Sequence, residues 1–232
     1  MKLAIMQPYF LPYIGYFQLI ASVDQFIVYD NIKYTKKGWV NRNRMLVNGR
    51  EATFSLPLKS ASDVLNICSR ELASDFSRNK MLNQFRGAYL KAPYFDETYL
   101  LLERIIQNQD ENLFLYLYGS LKKISQHLGL NAKISISSEY SIDHNLRGQD
   151  KVLALCEVTG AKTYVNAVGG VDLYEKDLFL KRGIELKFIR SKIFEYPQFG
   201  NVFVPWLSII DVMMFNHIET IKKDILHNCE FF

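Results

Sequence analysis

A chain of 232 residues is long enough to bury a substantial core, and 49% apolar and 22% charged residues with only 6 prolines and 12 glycines exclude a disordered or collagenous protein. The charge balance, 28 Lys and Arg against 24 Asp and Glu, leaves a mild +4 spread along the chain, which excludes a dedicated nucleic-acid surface. Three cysteines (Cys68, Cys156, Cys229) show no metal-ligand spacing, residues 1–8 carry no apolar leader, and the apolar stretch 203–215 is broken by Pro205 and Asp211. These features predict a cytoplasmic protein with free thiols, no membrane span, no metal and no cofactor.

In chain order, residues 3–6 read as a buried strand ended by Gln7-Pro8, residues 12–22 as a helix with Tyr13, Phe17 and Ile20 on one side, and residues 25–29 as a second strand ending at Asp30. Asn48-Gly49, between Met45-Leu46-Val47 and residues 52–56, predicts a β-hairpin. From about 75 to 128 the pattern turns helical, with Leu82/Phe85/Tyr89, Leu101/Ile105 and Leu113/Leu117/Leu121/Ile124 as apolar ladders and Pro93 separating the first two helices. Strands are expected at 134–137, 163–166 and 184–189, and helices at 146–158, 171–181 and 207–225. The alternation gives an α/β fold: a mostly parallel sheet flanked by helices, one domain over 1–232, with a helical insertion in the middle of the chain.

Ligands of open parallel sheets bind beyond the carboxyl ends of the strands. Here those ends deliver polar residues or glycine: Gln7 and Tyr9, then Asp30 and Asn31, then Ser137 and Ser138, then Asn166 followed by Gly169-Gly170. Ordinary turn chemistry would also place polar residues there. The run Lys36-Lys37-Gly38-Trp39-Val40-Asn41-Arg42-Asn43-Arg44, if extended, sends Asn41 and Asn43 to one face and Arg42 and Arg44 to the other. Two guanidinium forks suit a phosphate or carboxylate; a solvated edge strand is the bland alternative. Asp211 falls on the apolar stripe of the last helix, where a carboxylate needs a partner, with Arg42 or Arg44 the expected one. A capping box of Ser208 and Asp211 competes with that reading. Gln198, in the turn-rich loop 196–200, is a candidate contact on a lid or connector. Of the four histidines only His144, in Asp143-His144-Asn145, is a candidate acid/base.

The opening Met6-Gln7-Pro8-Tyr9-Phe10-Leu11-Pro12-Tyr13-Ile14-Gly15-Tyr16-Phe17, followed by Tyr29-Asp30 and the Lys36–Arg44 run, resembles the WbqC-like family. The likeness continues through Tyr164-Val165-Asn166, Gly169-Gly170 and Pro205-Trp206-Leu207-Ser208-Ile209-Ile210-Asp211, and so covers nearly the whole chain. Met6 stands where many relatives have histidine, which rules out a mechanism needing a histidine there, and Ala167 stands where proline is expected. The resemblance implies a role in bacterial surface-polysaccharide (O-antigen) biosynthesis, and an N-acyl or aminoacyl (glycyl-type) transferase acting on a nucleotide-linked amino sugar. An acyl or peptidyl carrier protein is the implied thioester donor.

On that reading Asp30 accepts a proton from the attacking amine, with His144 as the second candidate for catalysis. Gln7, Asn41 and Asn166 orient the acyl group, and Arg42 and Arg44 hold the phosphate. Tyr9, Lys36, Trp39, Asn43, Ser138, Gly169, Gly170, Gln198, Ser208 and Asp211 complete the expected binding set. Two alternatives stay open: a cysteine- or serine-dependent hydrolase or thioesterase using Cys68, Cys156 or Ser208 beside His144, and a non-catalytic ligand-binding protein.

Overall fold

The computed structural model describes residues 1–200 and 202–232. Its larger sheet has six strands: β1 (Lys2–Met6), β2 (Gln25–Val28), β5 (Lys133–Ile136), β6 (Thr163–Ala167), β7 (Glu185–Ser191) and β8 (Cys229–Phe231), in the order β5-β2-β1-β6-β7-β8. All pairs are parallel except β7 with β8. Leu3, Ala4 and Ile5 of β1 are all buried, because the central strand is covered on both faces. Leu3 and Ile5 pack with Ile27, Tyr164 and Phe188 on one face, while Ala4, Phe26 and Val28 join the larger core on the other. The expected α/β architecture is therefore present.

Between β2 and β5 the chain leaves the sheet. It forms the hairpin β3 (Arg42–Val47) and β4 (Arg50–Ser55), with Asn48 and Gly49 both in the left-handed region (φ 50° and 73°) as a two-residue turn of this hand requires. The expected helical stretch follows as α2 (Arg78–Tyr89), α3 (Phe95–Ile106) and α4 (Leu113–His127). Ser77 and Asn112 cap α2 and α4 by accepting from the backbone N–H of Lys80 and Leu115. These helices and α1 (Ile14–Ala21) contribute to the larger core, and α5 (Gly148–Thr159) and α6 (Lys176–Lys181) to the smaller one across the sheet.

Two expected helices are shorter than the pattern suggested. The closing segment is α7 (Ile209–Phe215), then extended backbone at Asn216, whose backbone N–H and side chain both donate to Val212 O (3.1 and 2.9 Å). A single turn at Ile218–Thr220 and a π-type turn at Ile221–Ile225 follow. Likewise 168–173 is a 3₁₀ turn separated from α6 by extended Tyr174. The strand β8 has no counterpart in the sequence reading; three residues carry no usable periodicity.

A cleft at the topological switch point

Counted along the chain, the sheet strands run third, second, first, fourth, fifth, sixth, so the winding reverses between β1 and β6. In open α/β sheets the crevice at that reversal is the ordinary ligand position. Here a cleft of about 440 Å³ opens at that edge. The loop after β1 supplies Tyr9, Pro12 and Tyr13, and the loop after β6 supplies Val168. The end of β7 adds Arg190 and Ser191, the hairpin side adds Trp39, Asn43 and Arg44, and Trp206, in the β7–α7 connection, forms a further wall.

The loop after β1 is fastened from several sides. Asn43 donates to Phe10 O and Leu11 O (3.2 and 2.9 Å), Ser208 Oγ donates to Leu11 O (2.6 Å), and the Ile209 N–H donates to Pro12 O (2.9 Å). Leu11 itself is left-handed (φ 46°), and so is Trp206 (φ 60°). Such conformations cost branched or bulky residues free energy and persist only where the surroundings impose them.

Charge in the cleft is one-sided. Arg44 bonds Glu51 (2.8 Å) and Trp206 O (3.1 Å), and its buried Nε has no hydrogen-bond partner among the described residues. Its guanidinium lies 5.3 Å from the centre of the Trp39 ring. Arg190 pairs with Glu230 at 3.2 Å and sits over Phe232. Burial raises the pKa of both Tyr9 and Tyr13, so each stays a protonated phenol able to donate at neutral pH. Among the described residues no cysteine, histidine or carboxylate lines the cleft. The arrangement can hold an anion between arginines, stack a ring on indole, and direct phenolic O–H groups at an oxygen.

A sequence profile of the WbqC-like protein family matches residues 7–223. The chain belongs to the WbqC-like protein family. An uncharacterised protein of Mycobacterium tuberculosis is 29% identical to this WbqC-like chain over 233 residues, covering 98% of each. No solved structure matches it.

Of the residues singled out in this WbqC-like sequence, Tyr9, Trp39, Asn43 and Arg44 line the cleft. Gln7 and Asn166 lie at the ends of β1 and β6 beside it; Asn166 Oδ1 accepts from Ala167 N–H, and its amide stands where a Cβ on Gly170 would fall, with Gly169 in the same 3₁₀ turn. Arg42 shares the Trp39 face with Arg44, but its guanidinium is spent on Gly38 O and Lys37 O (3.0 and 2.6 Å). Asn41 bridges the Tyr34 hydroxyl and Leu56 O, and Lys36 forms an exposed pair with Asp63. Gln198, Ser208 and Asp211 are fully buried and line no part of the cleft.

Two expectations need correction. Asp211 is not paired with Arg42 or Arg44: it accepts from Tyr89, Tyr196 and Gln198, which satisfy the carboxylate without a cation. Ser208 does cap α7 by accepting from Ile210 N–H, but its own N–H goes to Arg44 O, so Asp211 does not close a capping box. Asp30, Ser138 and His144 gather apart from the cleft, at the ends of β2 and β5. Asp30 Oδ1 accepts from Ser137 Oγ (2.7 Å) and Ser138 N–H (3.0 Å). His144 has both ring nitrogens engaged, with Asn31 and with Tyr140 O, while nearby Lys151 donates to Asn31 and to His144 O.

The remaining cleft residues, Pro12, Tyr13, Val168, Arg190, Ser191 and Trp206, were not among the expected site residues. Arg190 and Ser191 are what the strand-end rule would have found had β7 been read to its true end at Ser191 instead of 189. None of the three nucleophiles named for the hydrolase alternative is activated. Cys156 is fully buried and its thiol is pushed up to about 12 by desolvation, burial also raises half-buried Cys68, and the Ser208 hydroxyl is spent on Leu11 O.

Proposed function

We propose that this WbqC-like protein is an N-acyl or aminoacyl transferase that modifies the amine of a nucleoside-diphosphate amino sugar, with a carrier-protein thioester as donor, in surface-polysaccharide assembly. The observation that carries the reading is the cleft itself: Arg44 and Arg190 for an anionic diphosphate, Trp39 and Trp206 for ring faces, and the phenols of Tyr9 and Tyr13 for a carbonyl oxygen. Acyl transfer from a thioester to an amine needs no protein nucleophile, since the amine attacks the carbonyl carbon directly. The C–N bond forms and the C–S bond breaks. The proton lost by the amine is the proton gained by the departing thiol. Holding both substrates in attack geometry supplies much of such a rate enhancement, and O–H donors placed where the oxyanion develops add to it. Asp30, the carboxylate expected from the sequence to take the proton, lies one strand along at the end of β2, outside the cleft and with Oδ1 held by Ser137 and Ser138, so on this reading the proton passes from the amine to the departing thiolate without it.

The test is direct. The protein is mixed with nucleoside-diphosphate amino sugars and acyl or glycyl carrier-protein thioesters, and the N-acylated product is sought by mass spectrometry. Binding in parallel is followed by calorimetry. Arg44→Ala and Arg190→Ala should each weaken sugar-nucleotide binding about tenfold or more, the worth of a charge-assisted hydrogen bond. Binding without turnover would leave a ligand-binding protein, and neither binding nor turnover with any such sugar would end the proposal.

A further inference from the structure

The cleft walls come from distant parts of the chain, and one buried side chain ties two of them together. Asp211 is 0% exposed, on α7 behind the cleft. Its Oδ1 accepts from the Tyr89 hydroxyl at 2.9 Å, and that hydroxyl accepts from the backbone N–H of Leu46, two residues along β3 from Arg44. Its Oδ2 accepts from Tyr196 (2.8 Å) and from Gln198 Nε2 (2.6 Å). Gln198 brackets the backbone of Val204, accepting from its N–H at 2.7 Å and donating to its carbonyl at 3.2 Å, two residues before Trp206. One carboxylate therefore joins the strand that carries Arg44 to the segment that carries Trp206.

We infer that Asp211 is the positioning residue of the cleft: it fixes the Trp206 wall against the Arg44 wall, so that indole and guanidinium meet a ligand in one preset arrangement. The inference rests on the cleft being the ligand site. Three observations support it. A buried carboxylate with only neutral donors is a costly device for holding two segments, and apolar packing would hold them at less cost. Its hydrogen bonds are directional in a way that packing is not. The segment it holds ends in a left-handed tryptophan, which must be constrained from outside to keep that backbone.

The protein has two tryptophans, so Trp39→Phe leaves Trp206 as the single indole reporter. In that background Tyr196→Phe removes one donor to Asp211 and changes no cleft residue. Tyr116→Phe is the control, since it removes another buried tyrosine hydrogen bond, to Ile106 O, within the helical insertion. With Tyr196→Phe, amide exchange at Val204 should accelerate about tenfold, acrylamide should quench Trp206 more strongly, and affinity for a nucleoside-diphosphate amino sugar should fall by a similar factor. Tyr116→Phe should leave Trp206 quenching and affinity unchanged. Asp211→Asn should act in the same direction and more strongly; should it fail to fold, the tyrosine pair still decides. Unchanged Val204 exchange and Trp206 quenching in Tyr196→Phe would overturn the inference, as would equal effects from Tyr116→Phe. If Trp206 responds as expected while even the unaltered protein binds no sugar nucleotide, the ligand reading fails and the structural link stands.

Discussion

Asp211 sets the direction of a pH effect. Desolvation raises its carboxyl above the ordinary 3.8, against the lowering effect of hydrogen bonds from Tyr196, Gln198 and Tyr89. A carboxyl with a raised folded pKa binds more protons folded than unfolded, so its contribution to stability is fully present below 3.8 and is lost as pH rises through the folded value. The stability of the wild type relative to Asp211→Asn, which does not titrate, should therefore be greatest in acid, decline through the raised pKa and then level off. Denaturant unfolding across the acid-to-neutral range measures that difference, and growth of the difference with pH would mean that the three donors outweigh desolvation. A second single-residue expectation concerns Asp30. Asp30 lies outside the cleft, and Asp30→Asn keeps an oxygen to accept from Ser137 and Ser138, so turnover and sugar-nucleotide binding should both hold within a few-fold. A loss of turnover of about a hundredfold with binding intact, the order expected for lost general-base catalysis, would put Asp30 in the chemistry after all. A parallel loss of binding would instead make Asp30 a structural residue. Only part of this was legible in the sequence. The apolar stripe around Asp211 announced a buried carboxylate that needed partners; the partner Tyr89 lies 122 residues away and reads in sequence as one more rung of an apolar ladder. Tyrosine conceals its donor in a core pattern, and arginine was the wrong first guess because residues 196–198 and α2 reach the carboxylate before any guanidinium does.

At the scale of elements, short apolar runs located β1 and β2, the Asn48-Gly49 pair located the hairpin, and helical periodicity located α1 and the three helices of the insertion, each of which repeats one face for long enough to be seen. Periodicity failed where the backbone turns extended inside an expected helix, at Asn216 in the closing helix and at Tyr174 before α6. Strand ends were read least well, and Arg190 and Ser191 were lost to that error. Close approach between elements was also invisible, and glycines expose it. Gly15 opens α1, and a Cβ there would fall 2.4 Å from Ser191 Oγ and from the Tyr13 ring, both in the cleft wall. Gly87 lies near the end of α2 with nothing within 4 Å of its would-be Cβ. The same substitution should therefore have opposite signs. Gly87→Ala should stabilise by roughly 0.5–1 kcal/mol through helix propensity, whereas Gly15→Ala should destabilise by about 1–3 kcal/mol through overpacking. The second should also weaken ligand binding by displacing Tyr13. Thermal unfolding of the two variants side by side checks the signs, and a neutral Gly15→Ala would show that β7 and α1 can separate freely.

The whole molecule places its cleft by topology and guards it by an edge. Winding outward from β1 in both directions leaves a crevice between β1 and β6 whatever the side chains, and the long excursion after β2 brings the hairpin and its Arg44 over that crevice. On the far side β7 would end the sheet as a bare strand beside Arg190 but for β8, which pairs Cys229 with Ser191, Glu230 with Arg190 and Phe231 with Ile189. Two effects of β8 are separable. The Arg190–Glu230 ion pair is half exposed, with side chains 54% and 42% accessible, and pairs of that kind contribute little, so Glu230→Gln should change stability by no more than about 1 kcal/mol. The strand does more: it satisfies the backbone of β7 and sets Phe232 beneath the Arg190 guanidinium and beside Phe188. Deleting Cys229–Phe232 uncovers a strand edge and frees Arg190 from both neighbours. Exposed edges template association, so the shortened protein should self-associate with rising concentration in sedimentation velocity and should bind a sugar nucleotide more weakly than Glu230→Gln does. Both defects must appear together, because one strand closes the sheet and aims the arginine; a shortened chain that stays monomeric with unaltered affinity would assign β8 neither part.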